Sequence, residues 1–237
     1  MGETVRFANR REAGQRLAAE LLRFKDLQPV VLALPRGGVP VGFEIAIKLQ
    51  ASLDVVLVRK IGHPAMPELA VGAIAEGEKL EKVIDEAAVS ELGVSRAYLD
   101  QEIARQTREI EHRRQLYFKG RPPTDIRNCT ALVVDDGIAT GATMRAALRA
   151  VRGRVPAKLV LAVPVAPPSA LEALRSETDE IVCLFSPEDF GAVGAFYTDF
   201  RPVEDEVVVH LLKHAAEMNA ARKPPVSLPG APTSGHR

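Results

Sequence analysis

Ala131-Leu132-Val133-Val134-Asp135-Asp136-Gly137-Ile138-Ala139-Thr140-Gly141-Ala142-Thr143 is the most informative run in the chain. An apolar strand ends in two adjacent carboxylates, passes through a turn of small residues and enters a helix at Thr140-Gly141-Ala142-Thr143. Such a turn can offer several backbone N–H groups, with the Thr140 and Thr143 hydroxyls, to one phosphate at a helix N-terminus. Gly141 allows close backbone approach. The acids stand at the carboxyl end of a parallel strand, where open α/β sheets bind their ligands. Being anionic, they are expected to face sugar hydroxyls or a divalent cation rather than the phosphate. The pattern calls for a ligand that carries a phosphate beside a hydroxyl-bearing ring.

Outward from this run the chain alternates strands and helices. Upstream, Val30–Leu34 is an apolar strand followed by Pro35-Arg36-Gly37-Gly38, Val39–Leu49 has helical periodicity, and Asp54–Val58 is a second apolar strand. Strand, helix, strand at this spacing is a βαβ unit, and wholly apolar strands predict a parallel sheet covered on both faces. Arg10–Phe24 is an amphipathic helix, and residues 60–68 (KIGHPAMPE) form a loop. Leu69–Ala75 and Lys79–Ile84 are short strands. Ser95 caps a long helix through Phe118 whose apolar stripe (Leu99, Ile103, Ile110, Leu116) is narrow. That helix is expected on the surface of the fold or against a partner subunit, which leaves homo-oligomerisation open. Downstream come a helix over Thr140–Arg152, a strand over Lys158–Val163, a helix capped by Ser169 and running to Arg175, a strand over Glu180–Phe185 and a helix over Val203–Asn219. Residues 221–237, rich in Pro, Ser and Gly, read as a disordered tail.

Composition narrows the function classes. Of 237 residues, 46% are hydrophobic and 26% charged, enough for a sizeable core. Lys plus Arg equals Asp plus Glu at 31 each, so a nucleic acid or an acidic membrane is not a favoured partner. Cys129 and Cys183 match neither a disulfide framework nor a zinc spacing. The first residues lack the apolar core of a signal peptide, and no apolar run reaches about 18 residues. The expectation is a cytoplasmic protein. His210 and His214 are four apart on the last helix, but no third metal ligand is apparent.

The run 131–143 resembles the phosphoribosyl diphosphate (PRPP) signature of the type I phosphoribosyltransferases: four apolar residues, two acids, then a Thr-Gly-x-Thr phosphate loop. Leu34-Pro35-Arg36-Gly37-Gly38-Val39 is similar to the family's diphosphate loop, which binds through backbone N–H groups and a strained peptide. Arg59-Lys60 and the following loop look like its Arg-Lys pair and mobile catalytic loop. The segment from Pro187 to Phe200 looks like the base-side segment of the hypoxanthine/guanine-type members. The resemblance implies a type I phosphoribosyltransferase-like α/β fold: one domain over 1–220, a helical insertion at about 85–127 and a small base-side hood at about 186–202.

It also implies roles. Gly137, Ala139, Thr140, Gly141, Ala142 and Thr143 would hold the 5-phosphate end of PRPP, and Asp135 and Asp136 the ribose. Arg36, Gly37, Gly38, Arg59 and Lys60 would hold the diphosphate, and Phe190 would cover the base. Asp199, with Asp135 and Asp136, would hold Mg²⁺, partly through PRPP. The implied reaction moves 5-phosphoribose from PRPP to an acceptor nitrogen and releases diphosphate. The alternative is a PRPP- or nucleotide-sensing protein without turnover. Two departures argue against purine salvage: Ala139 stands where purine-type members have an acidic base, and Pro164-Val165 where they have a base-reading lysine. The long helix at 95–118 instead resembles the less characterised predicted members that share the LPRGGV, VRK and DDGxATGAT segments.

Overall fold

In the computed structural model, which describes residues 6–67, 69–77, 79–119 and 122–222, the chain builds a five-stranded parallel sheet with helices on both faces and a smaller antiparallel sheet beside it. Helix α1 (Arg10–Glu20) and a 3-10 turn (Leu22–Leu27) lead into β1 (Val30–Ala33), α2 (Gly38–Leu49) and β2 (Ser52–Val55). The second sheet is β3 (Val58–Gly62), β4 (Ala70–Ala75) and β5 (Glu81–Ile84), and the insertion follows as α3 (Glu86–Glu91) and α4 (Arg96–Phe118). The main sheet then resumes with β6 (Thr130–Val134), α5 (Ala142–Gly153), β7 (Lys158–Val165), α6 (Pro168–Leu174), β8 (Glu180–Phe185) and α7 (Asp205–Arg222). The predicted α/β architecture is observed.

The main sheet has the order β2-β1-β6-β7-β8, with Ala33 level with both Val55 and Val134. The chain therefore works outward from β1 to β2, then returns to β1's other side with β6. Between β1 and β6 lies the reversal of strand order, where loops leave in opposite directions and open a crevice. Side chains alternate between two cores. Val31, Leu132, Val134 and Val160 pack under Leu17 of α1, Leu21 just after it, and Val41 and Ile45 of α2. Leu32, Val133 and Leu161 pack against Met144, Leu148 and Val151 of α5. Burial on both faces is what the unbroken apolar strands require.

Several expectations need correction. The run Asp54–Val58 is not one strand, because it serves two sheets. Val56 still donates its N–H to Ala33, whereas the Leu57 carbonyl accepts from Glu76 N–H. From Val58 the backbone pairs antiparallel with β4. Lys60, Ile61 and Gly62 thus belong to β3, and the expected loop shortens at its start. The first helix stops at Glu20 and gives way to the 3-10 turn before Phe24. Ser169 is not a cap: α6 begins at Pro168, with Pro167 at the N-cap position. Proline suits that first position because its missing N–H would have no helical partner there. The last helix runs to Arg222, two residues into the expected tail, and the rest of the tail lies outside the described residues.

The insertion is integrated into the fold. Leu99, Ile110, Tyr117 and Phe118 of α4 share a core with Ile61, Val71 and Ile74 of the small sheet and with Val208 and Leu212 of α7. Of the stripe, Leu99 and Ile110 are covered within the chain and Ile103 is partly buried, whereas Leu116 stays exposed. Ser95 caps α4 as predicted, accepting from Tyr98 N–H at 3.2 Å. No helix among the described residues is long and apolar enough to cross a membrane.

Candidate active site

The crevice between β1 and β6 brings together residues about a hundred positions apart. The Leu34 N–H donates to the Val134 carbonyl at 2.8 Å, so the turn after β1 lies against the turn after β6. A Cβ on Gly37 would fall 2.0 Å from Asp136 Oδ2, and one on Gly38 2.7 Å from the Val134 carbonyl oxygen. Only glycine fits where these two turns touch. The Pro35–Arg36 peptide bond is cis.

Both helices that open here lack a side-chain cap. Helix α2 starts from Gly37, and α5 from Gly141, whose φ of 82° is readily adopted by glycine alone. By contrast, α1, α3 and α4 are capped by Asn9, Asp85 and Ser95. At the start of α2 the Gly38 and Val39 N–H groups already donate to the Leu34 and Arg36 carbonyls at 3.0 and 3.2 Å, whereas the helix dipole at both starts still favours an anion. Thr140 is exposed, Thr143 half-buried, and Ile138 anchors the turn by donating its N–H to the Val165 carbonyl at 2.9 Å.

The acid pair is largely shielded from solvent, though not fully buried. Burial raises the pKa of both carboxyls, and for Asp135 the neighbouring Asp136 charge pushes it well above the usual range. At Asp136 a guanidinium opposes that rise: Arg10 Nε lies 2.7 Å from Asp136 Oδ2. The same Arg10 donates to the Arg201 carbonyl at 2.8 Å and lies 3.9 Å from the centre of the Phe200 ring. The Tyr197 hydroxyl donates to the Asp136 carbonyl. Sequence reasoning missed Arg10 and Tyr197, since no local pattern joins them to residues so far along the chain.

Arg36 and Arg59 are each held by the insertion and its neighbours. Arg36 Nη1 lies 3.7 Å from Glu204 and 3.8 Å from Asp205 at the start of α7. Arg59 donates to Gln106 Oε1 of α4 at 2.8 Å. Arg59, Lys60, Tyr98, Glu102, Arg105, Gln106 and Thr143 line a cleft of about 470 Å³. The phosphate turn and the Arg-Lys pair therefore share one opening, although Arg59-Lys60 lie within β3 rather than after a strand. His63 is drawn into its own loop, its Nδ1 accepting from Ala65 N–H at 3.2 Å.

The base-side segment follows a different pattern. Phe190 stacks on Phe196 with centroids 5.2 Å apart, in a cluster with Phe7, Val165 and Tyr197. A Cβ on Gly137 would fall 2.5 Å from a Val193 methyl, so this segment closes over the start of the phosphate turn. The Asp199 carboxylate is bound by Arg201 at 2.6 Å, which lowers its pKa to about 2. Among the described residues, no group of three or more His, Cys, Asp or Glu side chains could hold a metal ion.

Comparison with known proteins places this geometry. Two proteins of Mycobacterium tuberculosis strains, provisionally named phosphoribosyl transferases, are each 40% identical over 227 residues, covering 93% of this chain. The chain spans about half of their length, 51%. The crystal structure of the Thermus thermophilus protein TT1426 is similar at 45% identity and a TM-score of 0.75, covering 89% of this chain and 99% of that one. The phosphoribosyl transferase domain model matches residues 7–201, and with it the acid pair, both glycine turns and the Arg-Lys pair: the chain belongs to the phosphoribosyl transferase family.

Proposed function

We propose that the protein transfers 5-phosphoribose from PRPP to an acceptor nitrogen and releases diphosphate. The observation that carries this reading is that the glycine start of α2 lies against the acid pair that leads, along the chain, into the uncapped glycine start of α5. One helix start suits the 5-phosphate, the other the diphosphate, and the acids lie between them at the level of the ribose.

In this reading the amides and hydroxyls of Thr140, Gly141, Ala142 and Thr143 hold the 5-phosphate, with Gly137 and Ala139 shaping the turn. Asp135 and Asp136 accept from the ribose hydroxyls. As the anomeric C–O bond breaks, its electron pair leaves with the diphosphate, and the acceptor nitrogen forms the new bond to the same carbon. Positive charge develops on the ring, beside the carboxylates, while negative charge grows on the leaving group. Arg36, Arg59, Lys60 and the Gly37 amide stabilise the latter, while Gly38, whose own N–H is given to the Leu34 carbonyl, keeps the turn free of a side chain. Phe190 covers the acceptor with the ring face that Phe196 leaves open.

Two carboxylates suit a Mg²⁺ ion that takes its other oxygens from PRPP. Asp135 and Asp136 are its proposed holders; Asp199, bound by Arg201, is not grouped with them among the described residues. Bound there, the ion would neutralise charge on the diphosphate. Ala139 offers no base, so the acceptor nitrogen loses its proton elsewhere or is already acidic.

The test is diphosphate release from PRPP and Mg²⁺ against a panel of purine, pyrimidine and non-base acceptors. Release with one class supports the transferase. Tight PRPP binding without release from any acceptor favours the sensing alternative, and no PRPP binding removes both.

A further inference from the structure

The inserted helix α4 carries a polar seam. Glu102, Gln106, Glu109, Arg113 and Tyr117 are spaced by four, three, four and four residues, which sets them on one helix face. At the seam's first end the contacts form a chain. Arg105 donates to Glu102 at 2.6 and 2.7 Å, Gln106 Nε2 donates to Glu102 Oε1 at 2.7 Å, and Arg59 Nε donates to Gln106 Oε1 at 2.8 Å. Glu102 and Gln106 are buried, 8% and 4% exposed. The amide's orientation is fixed: its nitrogen faces a carboxylate, so its oxygen must face the guanidinium.

Arg59 would be poorly placed without this chain. It is half-buried on β3, and the charges facing it come from α4: Arg113 and Arg105 against Glu109 and Glu102. Burial first, then Arg113, lowers its pKa. A long cationic side chain in that setting has no reason to hold one rotamer unless an acceptor fixes it. Only Gln106 supplies such an acceptor with a short, direct hydrogen bond among the contacts described for Arg59's Nε.

We infer that Gln106, oriented by Glu102, is a positioning residue that aims the Arg59 guanidinium at the diphosphate leaving group, an assignment that rests on the function proposed above. The insertion thus acts on the leaving group through Arg59. Glu102 sets which way the Gln106 amide faces, and Arg105 holds Glu102 in place.

The test is calorimetric binding of Mg²⁺-diphosphate and of ribose 5-phosphate to wild type, Arg59→Met, Gln106→Met and the double variant. Gln106→Met should weaken diphosphate binding about tenfold, the size of one charge-assisted hydrogen bond, and leave ribose 5-phosphate binding unchanged. In the Arg59→Met background the same change should have no further effect, because the residue acts only through Arg59. The swap Glu102→Gln with Gln106→Glu keeps an acceptor for Arg59 and a donor between the two helix residues. It should bring diphosphate affinity back to within about threefold of wild type. Additive losses in the double variant, equal weakening of both ligands, or a swap that unfolds normally yet stays as weak as Gln106→Met would each overturn the inference. If wild type binds diphosphate and Arg59→Met binds it equally well, the inference fails while the PRPP reading stands. If wild type takes neither diphosphate nor PRPP, both fail.

Discussion

Asp136 is where charge, packing and the proposed chemistry meet. Its carboxylate is paired with Arg10, and Gly37 leaves no gap for a side chain beside it. Gly37→Ala must move the acid or the loop. It should weaken PRPP binding by about tenfold or more, read by calorimetry, since a Cβ cannot sit 2.0 Å from Oδ2. Asp136→Asn keeps the volume and should retain the fold while lowering PRPP affinity or turnover; unchanged kinetics would contradict its role. Asp135 gives a pH signature. Its folded pKa lies above the unfolded one, so its contribution to stability is complete below the usual carboxylate pKa and is lost as pH rises through the folded value. Asp135→Asn should therefore raise the melting temperature at pH 7, by about 2–4 °C for each kcal/mol regained, and the gain should vanish near pH 3. A gain that is the same at both pH values would remove this account of the acid.

Among the elements, the two glycine turns and β6 were legible because each feature is local: apolar residues, then acids or glycines, then a helical period. The β2–β3 break was not, since Val55–Val58 is uniformly apolar and only the tertiary partners Ala33 and Glu76 divide it. Similarly, Ser169 has the chemistry of a cap, but Pro168 takes the first helical position ahead of it. Helix α4 was legible as a helix, with its Ser95 cap, yet its apolar stripe did not reveal that β3, β4 and α7 cover Leu99 and Ile110. The far end of its polar seam carries a further prediction. Tyr117 donates its hydroxyl to Asp205, the acid that also lies near Arg36. Burial and then that hydrogen bond raise the tyrosine's pKa, so the donor stays protonated across the physiological range. Tyr117→Phe should cost about 0.5–1.5 kcal/mol of stability in a denaturant titration, the usual worth of such a bond. Mg²⁺-diphosphate binding should weaken as well if Asp205 steadies Arg36; a stability loss with unchanged diphosphate affinity would confine Tyr117 to a packing role.

At the scale of the molecule, the strand order explains why one small crevice collects so many functional groups. Reversal between β1 and β6 opens the sheet's carboxyl edge, and the insertion, α4 with β3, walls a cleft that reaches Thr143 at the start of α5. Arg10 closes the third side from the chain's first helix, tying the acid pair to the segment around Phe200 and Arg201. That closure was invisible in sequence because 126 residues separate Arg10 from Asp136. The central claim is that the turn between Asp135 and Thr143 cradles the phosphorylated end of a pentose. A crystal structure with PRPP and Mg²⁺ tests it most directly. The account predicts the 5-phosphate on the amides of residues 140–143, the ribose hydroxyls on Asp135 and Asp136, and the diphosphate against Gly37, Gly38 and Arg59. A ligand bound elsewhere, or a turn that stays empty at saturating PRPP, would contradict it.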